Sequence, residues 1–326
     1  MFTRCRKRVL RSAWRTAAAV AALVAVAAAQ PKAQQEPPPH EHRLIEIPGE
    51  PILSRINVDL ERPCRVTRGP RNALYFVDSS ANKVFRVAGD KKGTVFAAGL
   101  SDPSGICFDR AGNCYVSNYA RGETHAGSVV RISPGGTTTV IANRLTGPKG
   151  LAFGRDGKLY VALSGEDRIV TIDAKGQLRE FRANVAAPAA VCFDAKGELY
   201  VASSVDGTVT RISPSGKATV AWRGLNVPTD LALSPEGDVL VTSYGGRAIY
   251  RLLSEGKFET YLKVPAGTIG ACIDGGGNAV VVNGELKLAV RIRDRLSVPC
   301  PHCRKMIPLR IKPRGTPKKA GSKTPL

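Results

Sequence analysis

The stretch Pro148-Lys-Gly-Leu-Ala-Phe-Gly-Arg-Asp-Gly-Lys-Leu-Tyr-Val161 returns, with small changes, along most of the chain. Close copies begin at Pro103, Pro188 and Pro228, and weaker ones at Pro63 and Thr268. The six starts are separated by 40, 45, 40, 40 and 40 residues, the one long interval being filled by the loop Ala120-Arg-Gly-Glu-Thr-His-Ala-Gly127. Self-similarity at about forty residues marks a repeat architecture in which each unit covers its neighbour's apolar face.

Each copy reads as a small antiparallel sheet. An apolar run from Gly150 to Phe153 leads to a turn centred on Asp156-Gly157, and a second strand follows from Lys158 to Leu163 with Leu159 and Val161 on one face. Glycine recurs at that turn as Gly112, Gly157, Gly197, Gly237 and Gly277, where a hairpin calls for positive φ. Alternating runs such as Val129–Ile132 and Val209–Ile212 give a third strand. After a Pro/Gly turn (Pro134-Gly-Gly136, Pro214-Ser-Gly216), a run such as Thr138–Ile141 gives a fourth. Four strands per forty residues, repeated six times, predict an all-β six-bladed propeller of four-stranded antiparallel blades spanning residues 44–298. The sixth copy ends after its third strand, Leu288 to Arg293, while Ile52–Leu60 alternates like an outer strand without a partner. This N-terminal strand is expected to complete the last blade, since ring closure removes exposed sheet edges.

The pattern Pro-x-Gly-Leu-Ala-Phe…Asp-Gly-x-Leu-Tyr-Val-Ala…Arg-Ile resembles the NHL-repeat propellers and the related gluconolactonase-type (SMP-30-like) six-bladed propellers, over roughly 250 residues. The resemblance implies the fold and, in the gluconolactonase-type enzymes, a catalytic metal. That metal would be held by a Glu before the first blade, two Asn near blade starts and an Asp on a later second strand. Glu61 stands at the first position, but Ser104, Lys149, Ala189 and Thr229 stand at the Asn positions, and Ser203 or Ser243 replaces the Asp. A lysine there would repel a cation. Propeller lyases of similar pattern depend on a histidine; of His40, His42, His125 and His302 only His125 falls within the repeats, on a loop with Glu123 two residues away.

Ligands of propellers gather where the innermost strands open onto the channel. Two register positions are expected to line one mouth. Three past the repeat's Tyr stand Asp78, Asn118, Leu163, Ser203, Ser243 and Asn283; two past its Pro stand Arg65, Gly105, Gly150, Ala190, Asp230 and Gly270. Asp78, Asn118, Asp230 and Asn283 are hard oxygen donors that either cradle a divalent cation such as calcium or a polar ligand, or cap strand ends. Tyr119 and Tyr244, one position further, offer apolar contact area. Cys107, Cys192 and Cys272 share a register position with Thr67, Ala152 and Ala232, which reads as a crowded site for small side chains and predicts buried, unreactive thiols. A Cys107–Cys114 disulfide across the hairpin is the alternative.

The ends differ from the body. Of a net charge of +21, residues 1–29 contribute six basic side chains and residues 299–326 eight, neither with an acid, so the repeats are only mildly cationic. A specific nucleic-acid binder would carry its basic stripe on the folded domain. Residues 1–29 read as an export signal, a basic start followed by an apolar run ending in Ala27-Ala-Ala29. The product would be periplasmic or extracellular, or membrane-anchored if that segment is retained. Residues 30–43 read as a flexible leader. In residues 299–311, Cys300-Pro-His-Cys303 resembles one knuckle of a zinc ribbon; without a second pair, zinc, a local disulfide and no ligand all remain open. Residues 312–326 form a basic tail suited to an anionic polymer or surface. The expected function is an exported, monomeric binding or scaffold module for a protein, peptide or glycan at one channel mouth. A metal-dependent hydrolase or a lyase at the channel is the alternative.

Overall fold

The computed structural model describes residues 45–49, 52–122, 124–182, 184–293, 295–299 and 306–313. They divide into two compact units, Pro51–Asp294 and a smaller one made from both chain ends.

The larger unit is a six-bladed propeller. The innermost strands are Pro63–Arg68, Pro103–Phe108, Pro148–Phe153, Pro188–Phe193, Pro228–Leu233 and Thr268–Ile273, so the repeat starts are the blade starts. Blades one to five each place four strands in chain order. Glycine's tolerance of positive φ closes the first turn in blades two to six, at values from 75° to 90° at Gly112, Gly157, Gly197, Gly237 and Gly277. Blade one lacks that glycine and bends instead through a short 3-10 turn, Pro70–Asn72, with Arg71 and Asn72 at positive φ.

Blade six supplies only three strands from its own copy. The outer position is filled by Ile52–Arg55, antiparallel to Leu288–Arg293 with Ile52 opposite Arg293 and Arg55 opposite Val290. The sequence reading carried this strand to Leu60; it ends at Arg55, because the chain there turns into the seam between blades six and one. Ile56, Val58 and Leu60 are buried against Val66, Phe76, Val280 and Val282, and the Ile56 N–H still donates to Ala289 O at 2.9 Å. Each remaining seam is sealed likewise, as where Tyr75 and Val77 of blade one meet Ile106 and Val116 of blade two. Alternating strands bury both faces because both faces have a neighbouring blade.

The smaller unit is a three-stranded sheet: Ile45–Gly49 runs parallel to Met306–Pro313, which is antiparallel to Arg295–Pro299. The propeller therefore ends sooner at both termini than the expected 44–298, and the strand runs through Lys312 to Pro313, where a tail was expected to begin. Cys300 and Cys303, the segments before Ile45 and the tail after Pro313 lie outside the described residues. Among the described residues no helix is long and apolar enough to cross a membrane.

Candidate functional site

The innermost strands share a local irregularity that shapes the channel. Pro63 faces Asp78, yet Arg65 faces Val77, so Cys64 is an extra residue without a partner. Similar register shifts follow Pro103, Pro148, Pro188, Pro228 and Thr268. Such a bulge re-aims side chains next to it. As a result two successive positions reach the axial region, at different heights.

The upper position forms the mouth ring: Cys64, Ser104, Lys149, Ala189, Thr229 and Ile269. Lys149 is its one charged member. A cavity of about 280 Å³ opens here, lined by Arg62, Cys64, Ser79, Asp102, Ser104, Tyr119, Arg121, Lys149 and Ile269 among others. It shares Arg62, Ser79, Asp102 and Arg121 with a second hollow of about 420 Å³ that runs out past Asn82 and Ala126.

The lower position forms the neck: Arg65, Gly105, Gly150, Ala190, Asp230 and Gly270. Small residues bring the strands so close that a Cβ on Gly150 would lie 2.6 Å from Ala190 Cα. The Arg65 guanidinium crosses the axis to an ion pair with Asp230. It also donates to Thr229 O at 3.2 Å, Ala189 O at 3.3 Å and Ser104 O at 3.5 Å, tying blade one to blades two, four and five. Asp230 Oδ1 accepts the Leu231 N–H at 2.9 Å and Oδ2 the Ala271 N–H at 3.1 Å. Burial pushes the Asp230 carboxyl upward, against the opposing pull of Arg65. Below this plug lies another hollow of about 280 Å³, into which Thr67, Cys107 and Cys272 face. Cys64, Cys107, Cys114, Cys192 and Cys272 are all free, so no Cys107–Cys114 bridge forms. Burial pushes each of these thiols up, Cys64 to about 12.

The four candidate oxygen donors do not meet. Asp230 is committed at the neck, while the others sit at the ends of second strands and tie loops. Asp78 accepts the N–H groups of Glu61 at 2.6 Å, Arg62 at 3.0 Å and Ala81 at 3.0 Å. Asn283 donates to Ala266 O at 2.6 Å and accepts Leu286 N–H at 2.8 Å. Asn118 accepts Ser101 N–H at 3.4 Å and donates to Ser128 Oγ at 3.1 Å. Ser203 and Ser243 do the same work, donating to Ala186 O at 2.6 Å and Asn226 O at 2.5 Å. The residue 17 positions earlier is the partner in all five cases, so the repeat itself writes this staple. Among the described residues no three His, Cys, Asp or Glu side chains gather to hold a metal. With arginines and a lysine as neighbours, the residues present do not fit a divalent cation. Glu61 offers its backbone N–H to Asp78 and its side chain is no part of the cavity lining. His125 is exposed on its loop, with Nδ1 2.8 Å from Thr146 Oγ1.

Of the two tyrosines, Tyr119 lines the mouth cavity and Tyr244 stands outside it, its hydroxyl donating to Glu285 at 2.7 Å. The Tyr119 ring carries two cations, Lys149 Nζ 5.6 Å and the Arg121 guanidinium 6.0 Å from its centroid. Arg121 also pairs with Asp102 at 3.4 Å. The Lys149 ammonium has no carboxylate partner among the described residues. Burial lowers its pKa, helped by Arg65 and then Arg121. Its backbone is fixed: Ser117 Oγ accepts Gly105 N–H at 2.8 Å and donates to Lys149 O at 2.6 Å. Arg62, Asp102, Arg121 and Lys149 are thus mouth residues that the register argument missed. The sequence signals were one charge at a register position otherwise filled by Cys, Ser, Ala, Thr and Ile, and the place of Lys149 where the resemblance puts a metal ligand.

Residues 105–233 match the family described as SMP-30/Gluconolactonase/LRE-like region. No curated protein sequence matches the chain. Among solved structures, a gluconolactonase from Xanthomonas campestris is similar over 74% of this chain and 89% of its own, at 14% identity and a TM-score of 0.65. The virginiamycin B lyase of Staphylococcus aureus is similar over 75% and 99%, at 16% identity and 0.58. An auxiliary nutrient binding protein from Bacteroides thetaiotaomicron is similar over 72% and 69%, at 12% identity and 0.63. At such identities these likenesses concern the fold alone. Residues 105–233, the part of the chain that matches, lie inside the ring of six four-stranded blades, the fold for which these solved structures are similar.

Proposed function

We propose that the propeller is an exported binding module that takes its ligand, a glycan or peptide, in the mouth around Lys149. The observation that supports this is the mouth itself: a cavity of about 280 Å³ whose charged lining is Arg62, Arg121 and Lys149 against Asp102 alone. The one thiol of this cavity is not activated as a nucleophile. The Cys64 thiol, pushed up to about 12 by burial, lies 3.3 Å from the Pro103 carbonyl oxygen it donates to. Sites for small molecules are concave with a few converging polar groups, and this cavity sits near the lower end of their usual ~300–1,000 Å³.

The test is binding of the full chain to glycan and peptide arrays, compared with Ser104→Phe, which fills the mouth from the ring. Spots bound by the natural chain and lost in the variant support the reading. Spots kept by the variant place the ligand elsewhere and defeat it. Opening of a lactone by the natural chain that stops on adding a chelator would favour the hydrolase reading instead.

A further inference from the structure

The charge around Lys149 is unbalanced in a way that names a ligand class. Among the described residues, the titratable or charged groups around it are the following. Arg65 is neutralised by Asp230 below; Arg121 is held by Asp102; the Asp78 carboxylate is occupied by three backbone N–H groups; burial, which pushes the Cys64 thiol up to about 12, keeps it neutral. What remains is the Lys149 ammonium, and beside it Arg62, whose side chain is exposed and lines both hollows. A cation withdrawn from water without a counter-charge is costly in a folded protein. Low-dielectric walls lined with one sign of charge focus the field on the opposite sign. Hydroxyls and a carboxylate ring the cavity (Ser79, Ser104, Asp102), and Pro103, Ile269 and the edge of Tyr119 supply an apolar wall. That combination suits a polyhydroxylated ring, and the volume admits about one such ring.

We propose that the mouth is an oxyanion subsite for a sugar acid, the carboxylate or phosphate seated between Lys149 and Arg62 with Arg121 behind, and the ring hydroxyls on Ser79, Ser104 and Asp102. This rests on the reading of the mouth as the binding site and adds the class of ligand. No covalent step is involved. Binding requires Lys149 to be protonated. Because burial, Arg65 and Arg121 lower its pKa, affinity falls at a lower pH than for a site built on a solvated lysine.

The experiment is calorimetric titration of the full chain with glucuronate, glucose 6-phosphate and glucose at neutral pH and low salt. The expected result is at least tenfold tighter binding of one or both acids than of glucose, weakening as salt is raised. The stronger of the two acids tells carboxylate from phosphate. Lys149→Met should lower the acids' affinity at least tenfold and by more than that of glucose, so that their preference over glucose is lost, while Lys149→Arg restores it, which a merely structural lysine would not do. A thermal melt of each variant keeps loss of binding separate from loss of fold. Acids no tighter than glucose, or acid binding that survives Lys149→Met, overturns the subsite, as does binding of none of the three. Tighter binding of N-acetylalanine through its carboxylate would assign the mouth to a peptide terminus and overturn the sugar acid. In each of these cases the broader binding reading is judged separately, by whether Ser104→Phe empties the arrays.

Discussion

Two sets of polar side chains stand at the same end of the propeller and differ in what they are bonded to. At the ends of the second strands, Asp78, Asn118, Ser203, Ser243 and Asn283 each bind backbone groups of the preceding loop. Four of them also accept an N–H three residues ahead. One step closer to the axis, Lys149 touches an aromatic ring and no acid among the described residues, and Arg62 reaches into open space. The first set is satisfied by the protein and holds it together. The second is left with capacity for something else. A repeated architecture makes this difference visible, because a polar residue that recurs with the same bonds in several blades is part of the scaffold, whereas a lone departure from the register is not.

Variants should separate the two sets by what they cost. The largest effect is expected at the neck. Asp230→Ala strands the Arg65 guanidinium on the axis without a counter-charge and should lower stability by about 3–5 kcal/mol in urea unfolding. A loss below about 1 kcal/mol would mean the plug is not what ties the blades at their centre. Next, Asp78→Ala removes the acceptor of three backbone N–H groups, and about 3 kcal/mol should be lost in the same measurement. Ser203→Ala, which breaks one hydroxyl link to the Ala186 carbonyl and one from the Asp206 N–H, should cost about 1 kcal/mol. Smallest in stability lost is Lys149→Met, which removes an uncompensated, half-buried cation and should cost nothing. If it destabilised the protein as strongly as Asp78→Ala, Lys149 would belong with the scaffold and the contrast would fail.

The titration of Lys149 sharpens the same contrast. A lysine whose folded pKa lies below its unfolded value makes the protonated, charged state unfavourable in the fold. Stability should therefore rise as pH passes up through the folded pKa toward 10.5, while affinity for an anion falls over the same window. The Lys149→Met variant should show neither change. Opposite slopes of stability and binding in the natural chain would be hard to obtain from a surface lysine.

Much of the scaffold could be read from spacing. Pro63, Pro103, Pro148, Pro188, Pro228 and Thr268 mark the repeats and are also the first residues of the inner strands. Leu288–Arg293 was recognised as a third strand lacking a fourth, and Ile52–Arg55 supplies it. The site was less legible for a specific reason. A strict period of two places neighbouring residues on opposite faces, but the bulge after each Pro breaks that period and brings Lys149 to the mouth while Gly150 lines the neck. Of the four hard oxygen donors, Asp230 lies within an inner strand at the neck, and Asp78, Asn118 and Asn283 stand at the ends of second strands. That their lone pairs would already be occupied depends on loops 16 or 17 residues earlier. The small sheet joining Ile45–Gly49 to Met306–Pro313 pairs segments from opposite ends of the chain, and no local pattern announces such a pairing.

Sequence alone determined the forty-residue period, the number of blades and the borrowed closing strand, since these follow from where apolar residues and turn glycines fall along the chain. Only the tertiary structure decided which charges are spent. Arg65 meets Asp230 across 165 residues of sequence because the ring closes, and that meeting neutralises one cation at the axis while Lys149, just above it, has no carboxylate partner among the described residues. Charge balance at a channel is a property of the assembled ring.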